Sequence, residues 1–374
     1  MTRLATRVSY VTCTRNRRDE LTRTLRTLDE LHRDDPSVAE VVLADNASDP
    51  PIHEWLPQTE LHVEVVTLPE NIAAAARNAA AERARSAWLV MLDDDSAPLD
   101  LGFLDVLDRV DDGVAAVLAD VTLPDGSRER GGLPEVLVGC GAAVRREAYL
   151  GVGGYDPAIF FAAEEPDLCA RLIAAGWRLE ASTVFRVLHH KTPTNRDLDR
   201  MLRLLTRNAG VLIERTTPDA ERRSLRRDHI RRCAWIARKE DAVDGFAQGL
   251  AELRSARRSL VREPLSRAHF ERFTGLHHAR EAIAAALQER PFATAALVEA
   301  GKHAWAVERA LRDAGVEIVG DADRADRLAI ATMSPGPMLD AVDTFLRSDD
   351  DRVLAPWTFA QRYAASRQRA PSLA

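Results

Sequence analysis

Along the first half of the chain, short apolar runs alternate with stretches whose apolar positions recur every three or four residues. Short runs predict buried strands, and the wider spacing predicts amphipathic helices. Residues 7–12 read as a strand, and Leu21, Leu25, Leu28 and Leu31 line one face of a helix over about 18–32. Strands follow at 41–44 and 63–67. Asn71 opens an alanine-rich helix running to about Ser86, with small side chains that permit close packing on a sheet, and 88–92 is a fourth strand. This alternation predicts a layered α/β unit with a largely parallel sheet.

The second half reads differently. A less regular stretch at 124–134 is expected to be a mobile loop, followed by a strand at 136–144 and a turn at 151–155. A helix at 164–176 stops at Gly176, and another strand covers 183–188. From Asn195 to about Arg290 the pattern is helical throughout. Residues 293–299, 316–320 and 327–332 read as strands, 352–357 as one more, and 305–314 and 338–345 as helices between them. Three parts are expected: an α/β unit at 1–195, a helical region at 196–290, and a small C-terminal α/β unit at 291–374 that has no phosphate-binding glycine loop.

Composition narrows the function classes. A chain of 374 residues with 46% hydrophobic content supports two or three domains with real cores. The formal charge of −7 gives no reason to expect a nucleic-acid partner. Cys13, Cys140, Cys169 and Cys233 are scattered without CxxC spacing, as suits free thiols in a reducing compartment. The N-terminus lacks the apolar core of a signal peptide, and no window reaches the roughly 20 apolar residues of a membrane span. A soluble, cytoplasmic protein is the expectation. The basic run from Arg222 to Lys239 has only a thin apolar face of Leu225, Ile230, Cys233, Ala234 and Ala237. That predicts a solvated helix packed on the catalytic unit, with weak peripheral membrane contact as the alternative.

Three clusters carry candidate chemistry. Asp93-Asp94-Asp95 ends a strand, where adjacent carboxylates repel one another unless a cation offsets them; a solvated acidic turn is the plainer alternative. Glu164-Glu165-Pro166-Asp167 follows Phe160-Phe161, and acids in a first helical turn complement the helix dipole. An aromatic pair beside clustered carboxylates also suits a general base with a raised pKa. His189-His190 lies just past a strand, where a neutral imidazole would complete a metal site built on the aspartates.

In order, Thr12-Cys13-Thr14-Arg15-Asn16-Arg17, Ala44-Asp45-Asn46-Ala47-Ser48-Asp49, Leu68-Pro69-Glu70-Asn71 with Ala76-Arg77-Asn78, and Leu92-Asp93-Asp94-Asp95 resemble the family 2 glycosyltransferases of the GT-A fold. Gly153-Gly154-Tyr155-Asp156 and the stretch from Glu164 to Gly176 continue the match. Arg203-Leu204-Leu205-Thr206-Arg207-Asn208 is similar to the rhamnosyl- and galactofuranosyltransferase-like branch. The resemblance covers roughly the first 210 residues and rests on five ordered motifs.

The resemblance implies a GT-A nucleotide-diphospho-sugar transferase fold with a Rossmann-like mixed sheet, and an inverting, metal-dependent enzyme. Its donor would be a UDP- or dTDP-sugar, and its acceptor a hydroxyl of a glycan or small natural product. Thr14, Arg15, Asp45, Asn46 and Arg77 would line the nucleotide pocket together with Asp93 and Asp94. Asp93, Asp95 and His189, with His190 as the alternative, would hold Mn²⁺ or Mg²⁺. Glu165 would be the base, with Glu164 and Asp167 as alternatives. Ala73 stands where many relatives carry Gly, Arg15 replaces a frequent Tyr, and Glu165 replaces Asp. Two other readings are a nucleotidyltransferase, for which the 12–18 turn lacks glycine, and a catalytically silent sugar-nucleotide-binding or scaffolding protein. The oligomeric state is not legible.

Overall fold

The computed structural model of the chain describes residues 6–191, 197–348 and 350–369. The expected boundary at 195/196 lies outside these residues. The first part contains β1 (Val8–Thr14), α1 (Arg18–Leu31), β2 (Ala39–Asp45), β3 (His62–Thr67), α2 (Ala76–Arg83), β4 (Trp88–Asp93), β5 (Ser96–Pro98) and α3 (Phe103–Leu107). It continues with β6 (Val114–Thr122), β7 (Ala142–Arg145), α4 (Arg146–Gly151), α5 (Glu164–Ala174) and β8 (Arg178–His189). These strands form one sheet in the order β3-β2-β1-β4-β7-β6-β8-β5.

The sheet is mixed rather than largely parallel. The ladders joining β1 to β2, β2 to β3, β1 to β4 and β6 to β8 are parallel. β7 runs antiparallel to both β4 and β6, and β5 antiparallel to β8. In α1, Leu21, Leu25 and Leu28 are buried against the sheet as their spacing requires, each worth about 1.5–3 kcal/mol relative to exposure.

The strands expected at 316–320 and 352–357 shrink to Glu317–Ile318 and Val353–Leu354, and two elements of the first part are also shorter than expected. The strand expected at 136–144 is confined to β7, because the N–H groups of Leu137 and Gly139 go to Cys169 Sγ and Glu165 Oε1 instead of a neighbouring strand. The alanine-rich helix narrows to α2, preceded by a 3₁₀ turn at Ala73–Ala75 and ended by the extended backbone of Ala84 (ψ 139°).

The helical region comprises α6 (Leu198–Thr216), α7 (Asp219–Lys239), α8 (Val243–Ala256), α9 (Arg267–Thr274) and α10 (Leu276–Glu289). α7 docks through Cys233 and Ala237 onto Leu202 of α6 and exposes Arg223, Arg227, Arg231 and Trp235. The chain then forms β9 (Thr294–Val298), α11 (Ala304–Asp313), β10 (Glu317–Ile318), β11 (Arg327–Ile330), α12 (Pro335–Arg347), β12 (Val353–Leu354) and α13 (Thr358–Arg369). Its four strands make a parallel sheet in the order β10-β9-β11-β12. One apolar cluster runs from the large sheet through Leu276 and Ile283 of α10 to Ala295, Leu311 and Met338. Among the described residues no helix is long and apolar enough to cross a membrane.

Candidate active site

Parallel pairing sets Thr14 beside Asp45 and Cys13 beside Asp93, so three strands end together at one edge of the sheet. Ligands of open α/β sheets bind beyond such carboxyl ends. At this edge the turn Asp93-Asp94-Asp95 is held by the Ser96 hydroxyl, which accepts the Asp93 N–H at 2.9 Å. Each carboxylate faces a guanidinium, and Asp94 and Asp95 share one. Asp93 accepts from the buried Arg77 guanidinium at 2.6 Å, and the same guanidinium donates to the Leu92 carbonyl at 2.9 Å. Asp94 accepts from Thr14 Oγ1 at 2.6 Å and lies 2.8 Å from Arg17 Nε. Burial pushes Asp94 up to about 7 against the pull of Thr14 and Arg17. Asp95 gives one oxygen to Arg17 at 2.7 Å and turns the other toward His189 Nε2, 3.3 Å away.

His189 reaches this turn by strand pairing. The β5–β8 ladder sets it opposite Ser96, and the His190 N–H donates to the Asp95 carbonyl at 2.9 Å. His189 Nε2 also lies 3.8 Å from Asp93 Oδ2, while its Nδ1 lies 3.1 Å from Glu129 Oε2. His190 is exposed. Of the two candidate histidines, His189 is the one whose ring faces the aspartates. Burial opposes charge on His189, but hydrogen bonds to Asp95, Cys140 and Glu129 prevail and push it up to about 12.

The donor set fits a divalent cation. Ligand atoms of Asp93, Cys140 and His189 lie within 4.8 Å of one another, and Asp95 Oδ1 faces the same imidazole nitrogen. Two carboxylates and an imidazole suit a small hard cation, and the half-exposed Asp93 leaves an approach for phosphate oxygens.

The second carboxylate group opens α5. The loop before it is tied to α6: Asn208 Nδ2 donates to the Phe161 carbonyl at 2.7 Å, and the Arg200 guanidinium sits 5.1 Å over the Phe160 ring. Glu165 Oε1 accepts the Gly139 N–H at 3.3 Å, and a Cβ at Gly139 would crowd that oxygen at 2.9 Å. Burial first, then repulsion from Glu164, pushes Glu165 up to about 8; Asp93 adds to this and Arg77 opposes it. Glu164 is raised by burial as well, although its Oε2 accepts the Ala163 N–H at 2.8 Å. Asp167 is committed elsewhere, bonded to Arg171 at 2.7 and 2.9 Å and paired with Arg215. Its two oxygens face Arg171 and Arg215, and the pair with Arg215 ties α5 to α6.

The residues expected around the nucleotide are partly occupied by the chain itself. Asp45 is fully buried and accepts the N–H groups of Ser48 and Ile52, both at 3.0 Å. Asn46 accepts from Ile72 N–H at 2.8 Å and donates to the Ala73 carbonyl at 3.1 Å. These two side chains shape the loops around the pocket. Arg15 is exposed, and its Nε donates to the Ala47 carbonyl at 3.3 Å. Left-handed backbone at Asn16, Ala47, Ala73, Ala162 and Lys191 marks loops of this edge, as held strain commonly marks functional sites.

Sequence reasoning assigned no role to Arg17, Glu129 or Cys140. Arg17 had a signal, being a cation in the turn facing three aspartates. Glu129 had none, since it sits in an irregular stretch between two arginines.

Residues 9–153 match the family model described as glycosyl transferase family 2. No curated protein matches the chain. Among solved structures, S. aureus TarS is 17% identical over 55% of this chain and 40% of its own, with a TM-score of 0.40. GalNAc-T7 with UDP, GalNAc and Mn2+ is 17% identical over 56% of this chain and 48% of its own, at 0.45. The mannosyltransferase PcManGT from Pyrobaculum calidifontis, in complex with GDP-Man and Mn2+, is 16% identical over 82% and 85%, at 0.45. The chain thus spans less than half the length of the first two, and at these identities and scores the likenesses carry no functional inference. The mixed sheet agrees with the expected GT-A class. Residues 9–153, which hold the motifs of the strand edge, are thus the part of the chain that is similar to the glycosyl transferase family 2 model.

Proposed function

We propose that the chain transfers a sugar from a nucleoside-diphosphate donor to an acceptor hydroxyl, with inversion at the anomeric carbon. The observation that carries this reading is the placement of the Glu165 carboxylate, raised to about 8, within electrostatic reach of Asp93 and Arg77. A buried carboxylate of that kind is a proton acceptor tuned to neutral pH. Glu165 takes the acceptor's hydroxyl proton as the oxygen attacks the anomeric carbon. The bond to the diphosphate breaks on the opposite face, and its electron pair leaves with the nucleoside diphosphate. Arg77 holds Asp93 in place and adds positive charge on the leaving-group side. Asp93, Asp95 and His189 would hold Mn²⁺ or Mg²⁺, which when bound offsets charge on the departing phosphates.

UDP and dTDP sugars, a glycan or small natural-product acceptor, the rhamnosyl- and galactofuranosyltransferase-like branch and a cytoplasmic site of action belong to the same proposal. So does the division at 1–195, 196–290 and 291–374. Weak contact of the basic outer face of α7 with an anionic membrane is checked by salt-sensitive vesicle sedimentation. Incubation of the full chain with nucleotide sugars, Mn²⁺ and candidate acceptors should release nucleoside diphosphate in step with glycosylated acceptor. Pyrophosphate release would indicate nucleotidyl transfer instead, and donor binding without turnover would indicate a silent binding protein.

A further inference from the structure

The segment 128–132 touches the candidate metal site at one point and the C-terminal unit at five. Arg128 leaves the large sheet beside Asp120, 2.8 Å from its Nε, and then crosses to the C-terminal unit. There its Nη1 lies 2.9 Å from both Asp340 and Asp343, and its Nη2 donates to the Tyr363 hydroxyl at 2.9 Å. Its backbone N–H donates to Asp340 at 3.1 Å. The next four residues are held along their backbone. Gly336 lies so close to the Glu129 carbonyl that a methyl group there would collide with it. Ser334 Oγ donates to the carbonyls of Arg130 and Gly131 at 3.0 and 2.8 Å, and Lys302 Nζ to that of Gly132 at 3.2 Å. From this anchored strap the Glu129 side chain points the other way, onto His189 Nδ1 at 3.1 Å and Lys191 Nζ at 2.8 Å.

We infer that the C-terminal α/β unit positions the metal-site histidine. Arg128 anchors the strap, and Glu129 transmits that anchoring to the His189 ring. A carboxylate on the far nitrogen of a ligating imidazole fixes both its tautomer and its orientation. Here that carboxylate is aimed by a neighbour whose partners, apart from Asp120 of β6, are Asp340, Asp343 and Tyr363 of α12 and α13. The unit that carries no phosphate-binding loop of its own therefore acts as part of the catalytic scaffold. Glu129 and Arg128 are positioning residues, since neither needs to touch substrate.

This inference rests on the reading of Asp93, Asp95 and His189 as a cation site, and Mn²⁺ binding to the full chain tests both. Free Mn²⁺ is followed by electron paramagnetic resonance, with melting temperature recorded alongside. Glu129→Gln is expected to weaken Mn²⁺ binding about 10–100-fold. Arg128→Met and Gly336→Ala should weaken it in the same direction. Because Arg128 acts through Glu129, the double variant Arg128→Met/Glu129→Gln should bind Mn²⁺ no worse than Glu129→Gln alone. Variants with lowered melting temperature but unchanged Mn²⁺ affinity would make the strap a fold support only and overturn the inference. If Arg128→Met does not fold, Gly336→Ala and Tyr363→Phe decide the matter in the same way. A wild-type chain that binds no Mn²⁺ overturns the metal-site reading itself, and the inference with it.

Discussion

Nε2 of His189 lies 3.3 Å from Oδ1 of Asp95, although one residue ends β8 and the other follows β4. This meeting joins the first acidic cluster of the chain to its last candidate ligand. Chelation with EDTA is therefore expected to abolish turnover, and Mn²⁺ or Mg²⁺ to restore it. His189→Ala should require a higher metal concentration for half-maximal activity, whereas His190→Ala should behave like the wild type. Full turnover in chelator would remove the cation from the scheme.

Glu165→Gln keeps the size of the side chain and removes its basicity. Turnover is expected to fall by about 10²–10⁴-fold, with donor affinity retained in a nucleotide-binding titration. A parallel loss of donor affinity would assign Glu165 a structural role.

The raised pKa of Glu165 gives a signed prediction. The base works only when ionised, so kcat/KM should climb with pH and level off above about 8. Glu164 is the second cause of that elevation, after burial. Glu164→Gln should therefore move the rising limb to lower pH. A limb that stays in place would mean the proton acceptor is another group.

Stability in acid should follow Glu135. Its carboxylate is buried and bonded to Arg272 Nε at 2.8 Å, with His278 Nε2 at 3.1 Å. Burial alone would raise its pKa, but these partners hold it down at about 2 against an ordinary 4.5. A depressed folded-state value means the stabilisation is fully present above pH 4.5 and lost as pH falls toward 2, a contribution of about 3 kcal/mol. Urea midpoints measured across that window should drop for the wild type and less steeply for Glu135→Gln.

Ala73 adopts a left-handed backbone with φ 50°, which costs a residue bearing a Cβ about 1–2 kcal/mol. Ala73→Gly should raise stability by up to about 1 kcal/mol once glycine's added chain entropy is subtracted. An unchanged or lowered denaturation midpoint would show that the turn is not strained.

What the sequence made legible was whatever its spacing encodes. Leu21, Leu25 and Leu28 declare α1 because burial of one helix face enforces their interval. The acidic ends of β2 and β4 declare the carboxyl edge of the sheet. β6 went unread because its alanines thin out an otherwise apolar run. The stretch before β7 was misread because its apolar residues are buried in a loop whose N–H groups bond side chains, a choice that hydropathy does not register. At the site, Asp95 and His189 could be nominated from residue type and position. The commitments of Asp45 and Asn46 to their own loops, and of Asp167 to Arg215 of α6, could not, because those partners are set by tertiary contact.

The backbone ladder that sets Ser96 opposite His189 makes the ligand set a matter of counting as much as of chemistry. Side chains of a strand alternate between faces, so sliding β8 by a single residue along β5 would send the imidazole away from the aspartates and bring a neighbour round in its place. A deletion within the strand, even one that spares every named ligand, should abolish cation binding more thoroughly than most substitutions inside the pocket.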